Sequence, residues 1–358
     1  MKSVGILGLG TYLPPTVRTN DWWSADVKAG WSERMAARLT KSDPSDDATA
    51  TAGVRLTIEA MTKYAQDPFR GAVQRHVMGD DMTVPQMEAN AAQDAMARAG
   101  VRPDQIDVIL TQTPSPEHLF VNSACTTHEL LGLPRRCLSL GTEGACNAFA
   151  MHATLAQALI ASGQARHVLS IHSCAMTRMM RRTEPDSAWW GDGAAAAVFG
   201  PVADGKGLLA SEHYSDGRSC DALVLGVANK RWWEDGSITL QSVDRKHTRS
   251  MVLSLVDRAR DTIVSTLAQA GKAPADVDFY AAHQGMVWLT DVTAAHSGLG
   301  HAKTVKTFAS CGNLNSANIP LILAIGEREG LIRDGSIVST FSGGVGETWS
   351  SLCLRWGR

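Results

Sequence analysis

The chain has 358 residues, of which 44% are hydrophobic and 20% charged, and it carries a net charge of -2. A chain of this size buries about 75% of its unfolded surface, which excludes disorder and a disulfide-stapled miniprotein. The near balance of 34 basic and 36 acidic residues leaves no electrostatic footprint for nucleic acid, and no apolar run reaches the roughly 20 residues of a membrane span.

Val4-Gly5-Ile6-Leu7-Gly8 runs into Gly10-Thr11-Tyr12-Leu13-Pro14 without a small-residue cleavage site, so it reads as a buried first strand rather than a signal peptide. The stretch from about 21 to 80 reads as an irregular excursion, with a loop from Lys41 to Thr51, where Ser, Asp, Thr and Ala dominate. Beyond it the pattern becomes regular. Helices are predicted over 86–99, 147–162, 248–270 and 316–329. Strands are predicted over 106–110, 136–141, 167–171, 194–199, 277–281, 336–340 and 352–356. In the third helix Val252, Leu255, Val256, Ala259, Ile263 and Leu267 share one face. Alternation of this kind predicts a layered α/β fold.

An internal repeat divides the chain. Ala97-Arg98-Ala99-Gly100, followed by Pro103 and Asp107, matches Ala268-Gln269-Ala270-Gly271, followed by Pro274 and Asp278, at an offset of 171. Nearly the same offset relates Ser162-Gly163 and its strand to Asp334-Gly335 and its strand. The reading is two similar halves, 1–200 and 201–358, sharing a core, with chemical groups at matching strand ends.

Cys146 lies in Gly144-Ala145-Cys146-Asn147-Ala148-Phe149, at a strand-to-helix turn. A helix N-terminus offers free N–H groups and a positive dipole end, both of which favour the nucleophilic thiolate. The other six cysteines read as packing residues, and seven thiols without regular spacing suit a reducing, cytoplasmic setting. His283 follows the strand Phe279-Tyr280-Ala281-Ala282, at the repeat position of Gln112. Ser310-Cys311-Gly312-Asn313-Leu314-Asn315-Ser316 is the second-half counterpart of the Cys146 turn, where an Asn can either donate to an oxyanion or cap a helix. Ser342-Gly343-Gly344-Val345-Gly346-Glu347 follows a further strand and reads as a close-approach loop or a positive-φ turn. A dinucleotide fingerprint is not met, because Leu13 stands where Gly8-Leu9-Gly10 needs its third glycine, and Cys125-Thr126-Thr127-His128 lacks a second ligand pair for zinc.

In this order the motifs resemble the thiolase superfamily of condensing enzymes, nearest to ketoacyl-ACP synthase III. They are Gly8-Leu9-Gly10-Thr11-Tyr12-Leu13-Pro14, Gly144-Ala145-Cys146-Asn147-Ala148-Phe149, Gly191-Asp192-Gly193-Ala194-Ala195, Ala282-His283-Gln284, Gly312-Asn313 with Ser316-Ala317, and Gly343-Gly344-Val345-Gly346. The resemblance implies a five-layered αβαβα fold with two pseudo-symmetric halves, a homodimer, and a catalytic set of Cys146, His283 and Asn313. It implies backbone N–H groups of Cys146 and of Gly344, Val345 and Gly346 at an oxyanion. It implies acyl-CoA or acyl carrier protein thioesters as substrates, with no cofactor and no metal, and an acyltransferase of the β-ketoacyl synthase type. The family's partner-crossing loop aligns with Pro114 to Phe120, so that Phe120 becomes an apolar tip in the acyl tunnel and Glu117 either a partner-supplied base or a solvated side chain. Glu347 is expected near the tunnel. Arg178, Arg181 and Arg182 form a basic patch that either meets an acidic carrier protein or is simply solvated.

Several positions depart from the family pattern. The stretch 21–80 is longer than usual, the Trp–Arg pair that sandwiches the CoA adenine has no clear counterpart, Glu184-Pro185-Asp186 stands where its Arg belongs, Cys311 replaces a His and Glu347 an apolar residue. These favour polyketide or other secondary metabolism over housekeeping lipid synthesis. Acyl transfer to an oxygen or nitrogen, and a non-catalytic partner subunit, stand as the alternatives. The paired tryptophans Trp22-Trp23, Trp189-Trp190 and Trp232-Trp233 line either a substrate entrance or a core.

Overall fold

The computed structural model describes residues 3–39 and 50–358. In chain order it runs through β1 (Val4–Tyr12), β2 (Thr16–Thr19), α1 (Ala25–Leu39), α2 (Ala52–Lys63), β3 (Gln74–Val77), α3 (Val84–Ala99), β4 (Val108–Gln112), α4 (Ser123–Leu130), β5 (Leu138–Gly141), α5 (Ala148–Ala161), β6 (Val168–Ala175) and β7 (Asp192–Pro201). It continues through β8 (Gly207–Ser215), β9 (Val224–Val227), β10 (Ile238–Gln241), α6 (Arg245–Gln269), β11 (Phe279–Ala282), α7 (Leu289–His296), α8 (Phe308–Cys311), α9 (Asn318–Arg328), β12 (Ile337–Gly344) and β13 (Thr348–Arg355).

Two sheets carry the same plan. The first has the order β1-β7-β6-β4-β5 and the second β11-β12-β13-β8. Parallel β4 and β6 match parallel β11 and β12, and each pair continues through two antiparallel strands, β7 then β1 in one sheet and β13 then β8 in the other. Even β5 has an echo, a parallel bridge from Phe279 to Lys303. The turn glycines Gly100 and Gly271, 171 residues apart, take the same left-handed φ of 65° and 64° that a helix C-terminus needs.

Five layers follow. Phe149, Ala153 and Ile160 of α5 and Ile319, Ile322 and Leu323 of α9 fill the space between the sheets, against Val108, Val168, Phe279 and Val338. Met87, Ala91 and Ala95 of α3 cover the outer face of the first sheet, and Ala259, Ile263 and Leu267 of α6 that of the second. The central helices are apolar all round because both their faces are buried. The fold is the five-layered αβαβα arrangement expected from the resemblance.

The stretch 21–80 is not the irregular excursion that its sequence suggests. It holds α1, α2 and β3, and β3 pairs with β2. Its loop at 41–49 lies outside the described residues. The buried face of α2 is Gly53, Thr57 and Ala60, which is small and partly polar and therefore gives no hydrophobic period. That face sits on α6, where the Gly53 amide donates to Asp257 at 3.2 Å. Upstream, Trp23 and Trp31 pack with Phe69 and Ala188 as a core, while Trp232 and Trp233 are exposed. The Trp31 indole donates to the Thr183 carbonyl at 2.7 Å and the Trp189 indole to the Pro68 carbonyl at 3.1 Å. Arg75, fully buried, donates to the Ala188 carbonyl at 2.7 Å and to Asn20.

Close approach of α3 to β1 explains the first glycine motif. A methyl group on Gly10 would run into the Ala91 carbonyl and the Ala95 amide, and one on Gly8 into Ala95 and Ala99. Gly10→Ala is therefore expected to lower the unfolding free energy by about 1–3 kcal/mol, read by chemical denaturation, whereas Gly217→Ala, where an added methyl meets nothing, leaves it within about 0.5 kcal/mol.

Candidate active site

Cys146 occupies a short 3-10 turn, Ala145–Asn147, between β5 and α5. Ala145 opens the turn at a φ of 45°, a conformation that non-glycine residues rarely adopt, and Glu143 accepts from its amide at 2.8 Å. Cys146 is buried, and burial, reinforced by the Glu143 carboxylate, pushes its thiol up to about 12. Desolvation of the charged form opposes the stabilisation that the helix end offers a thiolate.

His283 and Asn313 come from the other half. His283 follows β11 and is buried, which pulls its imidazole down to about 4, against the raising effect of the Asn315 backbone beside it. Asn313 follows α8, and its strand-like segment is stitched to Trp190: its amide donates to the Trp189 carbonyl at 2.7 Å and its carbonyl accepts from the Gly191 amide at 3.2 Å. A side chain at Gly191 would strike the Cys311 carbonyl, so the Gly191-Asp192-Gly193 motif serves this contact. Asp192, buried, accepts from the Met78 amide at 2.8 Å and the Thr177 hydroxyl at 2.6 Å. The two side chains converge over Gly285. A methyl group placed on that glycine would lie 3.0 Å from His283 Nε2 and 3.6 Å from Asn313 Nδ2, so two polar nitrogens approach one point beside the glycine.

The β12–β13 hairpin closes the site. Gly344 lies against the Cys146 turn, since a methyl there would sit 3.0 Å from the Gly144 carbonyl oxygen and 3.2 Å from the Asn147 amide nitrogen. Val345 and Gly346 follow in the turn, with Gly346 at a φ of 103°. Fully buried Asn147 ties the two together: it accepts from the Ser342 hydroxyl at 2.6 Å and donates to Ser350 at 2.9 Å. Glu347, expected near the acyl tunnel, turns its buried carboxylate to an ion pair with Arg258 of α6, whose guanidinium stands 4.2 Å over the Trp349 ring. It anchors the hairpin.

The remaining expected residues separate. Phe120 is 90% exposed, between exposed Leu119 and Val121, the latter at a φ of 74°. Glu117 accepts from the Val84 amide at 2.7 Å, at the N-terminus of α3, with Arg178 3.8 Å away. Arg178 itself donates to the Gly79 and Met82 carbonyls at 2.6 and 3.0 Å, so the basic patch is left with Arg181 and Arg182, both exposed. Arg182 stands 4.9 Å over the Trp22 ring. All seven cysteines are free, and Cys125 and Cys220 are exposed, which corrects their reading as packing residues. A surface hollow of about 450 Å³ lined by Asp107, Ile160, Arg166 and Pro201 lies at the far end of α5 and contains none of the site residues.

Sequence reasoning passed over Gly285 and a chain of buried polar groups beneath the site, and it placed Asn315 in the turn opposite Cys146 without singling it out. His152 hydrogen-bonds Thr142 at 2.7 Å and Ser170 at 2.9 Å, Ser170 meets His172 at 2.8 Å, His172 meets Ser316 at 3.1 Å, and Ser316 donates to Gln112. Burial pulls His152 down to about 3 and His172 well below its usual value.

The chain is similar to known proteins in sequence and in fold. A family model described as 3-oxoacyl-[acyl-carrier-protein (ACP)] synthase III matches residues 141–217, and that of the C-terminal part of the same enzyme matches 267–356. A β-ketoacyl-[acyl-carrier-protein] synthase III of Cereibacter sphaeroides is 30% identical over 311 residues, covering 84% of this chain and 93% of the relative. The crystal structure of 3-oxoacyl-(acyl carrier protein) synthase III from Pseudomonas aeruginosa superposes with a TM-score of 0.77 at 25% identity, covering 100% of this chain and 99% of that one. The priming β-ketosynthase of the R1128 polyketide pathway gives 0.78 at 22% identity, covering 99% and 96%.

His152, His172 and His283 share one pH consequence. Their folded values lie below the unfolded value, so the stability tied to their neutral form is complete above about pH 6.5 and is lost as the pH falls toward 4 and below. Each is expected to contribute a fall of about 1.4 kcal/mol per pH unit in that window. Ring-nitrogen NMR shifts of all three should stay at their neutral values from about pH 8 to about pH 5; protonation of His283 above pH 6 would contradict this.

Proposed function

The chain belongs to the 3-oxoacyl-[acyl-carrier-protein] synthase III family, and from that premise we propose that it is a decarboxylative condensing enzyme working through Cys146, His283 and Asn313. The observation that carries the proposal is the approach of His283 Nε2 and Asn313 Nδ2 to one point beside Gly285. Transfer of an acyl group to an alcohol needs a base but no paired donors, whereas an enolate oxygen needs both.

In the first step the Cys146 thiolate adds to the carbonyl of an acyl thioester. The backbone N–H groups of Cys146 and of the Gly344–Gly346 turn take the oxyanion. The bond from the carbonyl to the carrier sulfur breaks, the carrier leaves as its thiolate, and the acyl group stays on Sγ. In the second step a malonyl-type thioester places its carbonyl oxygen between His283 and Asn313. The bond to the carboxylate breaks, CO2 leaves, and the electron pair moves onto that oxygen. With the imidazole neutral, an Nε2–H tautomer donates to the enolate without giving up its proton. The enolate carbon then attacks the acyl carbonyl, the Sγ–C bond breaks, and a β-ketoacyl thioester departs.

A specialised role in polyketide or other secondary-metabolite assembly is supported by the departures at Glu184, Cys311 and Glu347 and by the added packing of 21–80 on the 183–189 segment. A homodimer, in which each chain offers Phe120 to the other, is supported by three consecutive exposed apolar residues, Leu119, Phe120 and Val121. Acyl carrier protein or CoA delivers the thioesters, and exposed Arg181 and Arg182 suit an acidic carrier.

Intact-protein mass spectrometry with a panel of acyl thioesters should show one acyl group per chain, absent in Cys146→Ala. His283→Ala and Asn313→Ala should still load but release CO2 from malonyl thioester about 10²–10³-fold more slowly; wild-type CO2 release by Asn313→Ala would sink the condensation reading. Phe120→Asp should elute as a monomer in size-exclusion chromatography, and an unchanged elution volume would remove Phe120 from the interface.

A further inference from the structure

Asn315 touches each of the three side chains on which the proposed reaction rests. Its Nδ2 lies 3.5 Å from Cys146 Sγ, its backbone lies against the His283 imidazole, and its own amide donates to Asn313 Oδ1 at 2.8 Å. Its orientation is determined by a neighbour. The Ser316 amide donates to Asn315 Oδ1 at 2.9 Å, so turning the side-chain amide over would set two donors face to face and remove the N–H from the sulfur. The backbone suits the residue as well: Asn315 has a φ of 54°, and Asn is among the few non-glycine residues that adopt this region readily.

The pseudo-symmetry gives the position further meaning. Ala145 and Asn315, 170 residues apart, each open a 3-10 turn at positive φ, one immediately before Cys146 and the other before Ser316. The first half uses this position for a methyl group and the second for an amide, and the amide crosses to the first half's sulfur. Ser316, the counterpart of the nucleophile, is hydrogen-bonded to His172 at 3.1 Å and donates to Gln112, which locks the turn from below.

We propose that Asn315 is a further catalytic residue, whose amide N–H stabilises the Cys146 thiolate before acyl loading and again when the sulfur leaves in the condensation step. In a buried site a single N–H donor to an anion is worth more than in water, and apart from the turn's own backbone it is the side chain aimed at the sulfur. The inference rests on Cys146 being the nucleophile of the proposed reaction.

The test uses the thiol alone. Iodoacetamide alkylates a thiolate, forming the Sγ–C bond as iodide leaves, and needs neither thioester nor condensation. The pH profile of Cys146 alkylation, followed by peptide mass spectrometry on the full-length protein, should give a wild-type midpoint well below the value near 12 that burial and Glu143 impose. Asn315→Gly deletes the donor while relaxing the positive φ, and is expected to slow alkylation near neutral pH about tenfold, with its midpoint raised by about one pH unit. Asn315→Asp keeps the acceptor for Ser316 but sets an anion beside the sulfur, and should be slower still. A wild-type midpoint near 12, or superimposable profiles for wild type and Asn315→Gly, would overturn the inference. A wild-type midpoint near 12 decides against the inference even where a variant folds poorly. A normal profile in a protein that releases no CO2 would count against the condensing reading and leave Asn315 in place.

Discussion

One buried amide joins the nucleophile to the half of the molecule that faces it. Cys146 belongs to the first sheet's side, and the hairpin and His283 to the second. Asn147, next to Cys146 in the chain, spans the boundary with both ends of its side chain, accepting from Ser342 on β12 and donating to Ser350 on β13. Both partners are buried serines, and Ser350 is itself held by His213 at 2.7 Å. A buried amide without such partners would be strongly unfavourable, so the sheets are constrained to the one relative placement that satisfies it. That placement brings Gly344 onto the Cys146 turn.

The dryness of the boundary governs its chemistry. Burial opposes charge on every titratable group there, pushing the Cys146 thiol up and the His283 and His152 imidazoles down. Neutral His283 is suited to donate a hydrogen bond and to keep its proton, and a thiol that resists ionisation must be helped by nearby donors. Low polarity strengthens those donors as well. In the proposed reaction the same dry wall makes the thiolate difficult to form and strengthens the donors that would hold it.

Much of this was legible in the sequence because the chain repeats itself. An offset near 171 tied His283 to Gln112 and placed the Asn313 turn opposite the Cys146 turn, and the parallel strands β4 and β6 recur as β11 and β12 at nearly that spacing, from Val108 to Phe279 and from Val168 to Ile337. Periodicity located the central helices because apolar residues surround them. Other features carried no such signal. Asn315 reaches Cys146 across 169 residues, and no local pattern reports a contact of that span. The meeting of His283 and Asn313 beside Gly285 joins two separate loops, which no local pattern reports either. Glu117 and Arg178 looked like loop charges, yet the first accepts from the Val84 amide and the second donates to the loop carbonyls of Gly79 and Met82. α2 escaped because small and polar residues form its buried face.

The tryptophan-rich N-terminal segment reaches the site through a relay, beside a direct hydrogen bond from the Val73 amide to the Ala309 carbonyl at 2.9 Å. Trp31, Trp189 and Arg75 fix the segment from 183 to 189, and the next residues, Trp189 to Gly191, hold the backbone of Asn313. The segment is therefore not an interchangeable module. A chimaera that takes its first eighty residues from a shorter-armed relative would inherit a differently seated Asn313 while keeping the Cys146 turn unchanged, so the two half-reactions of such a hybrid could be retuned independently.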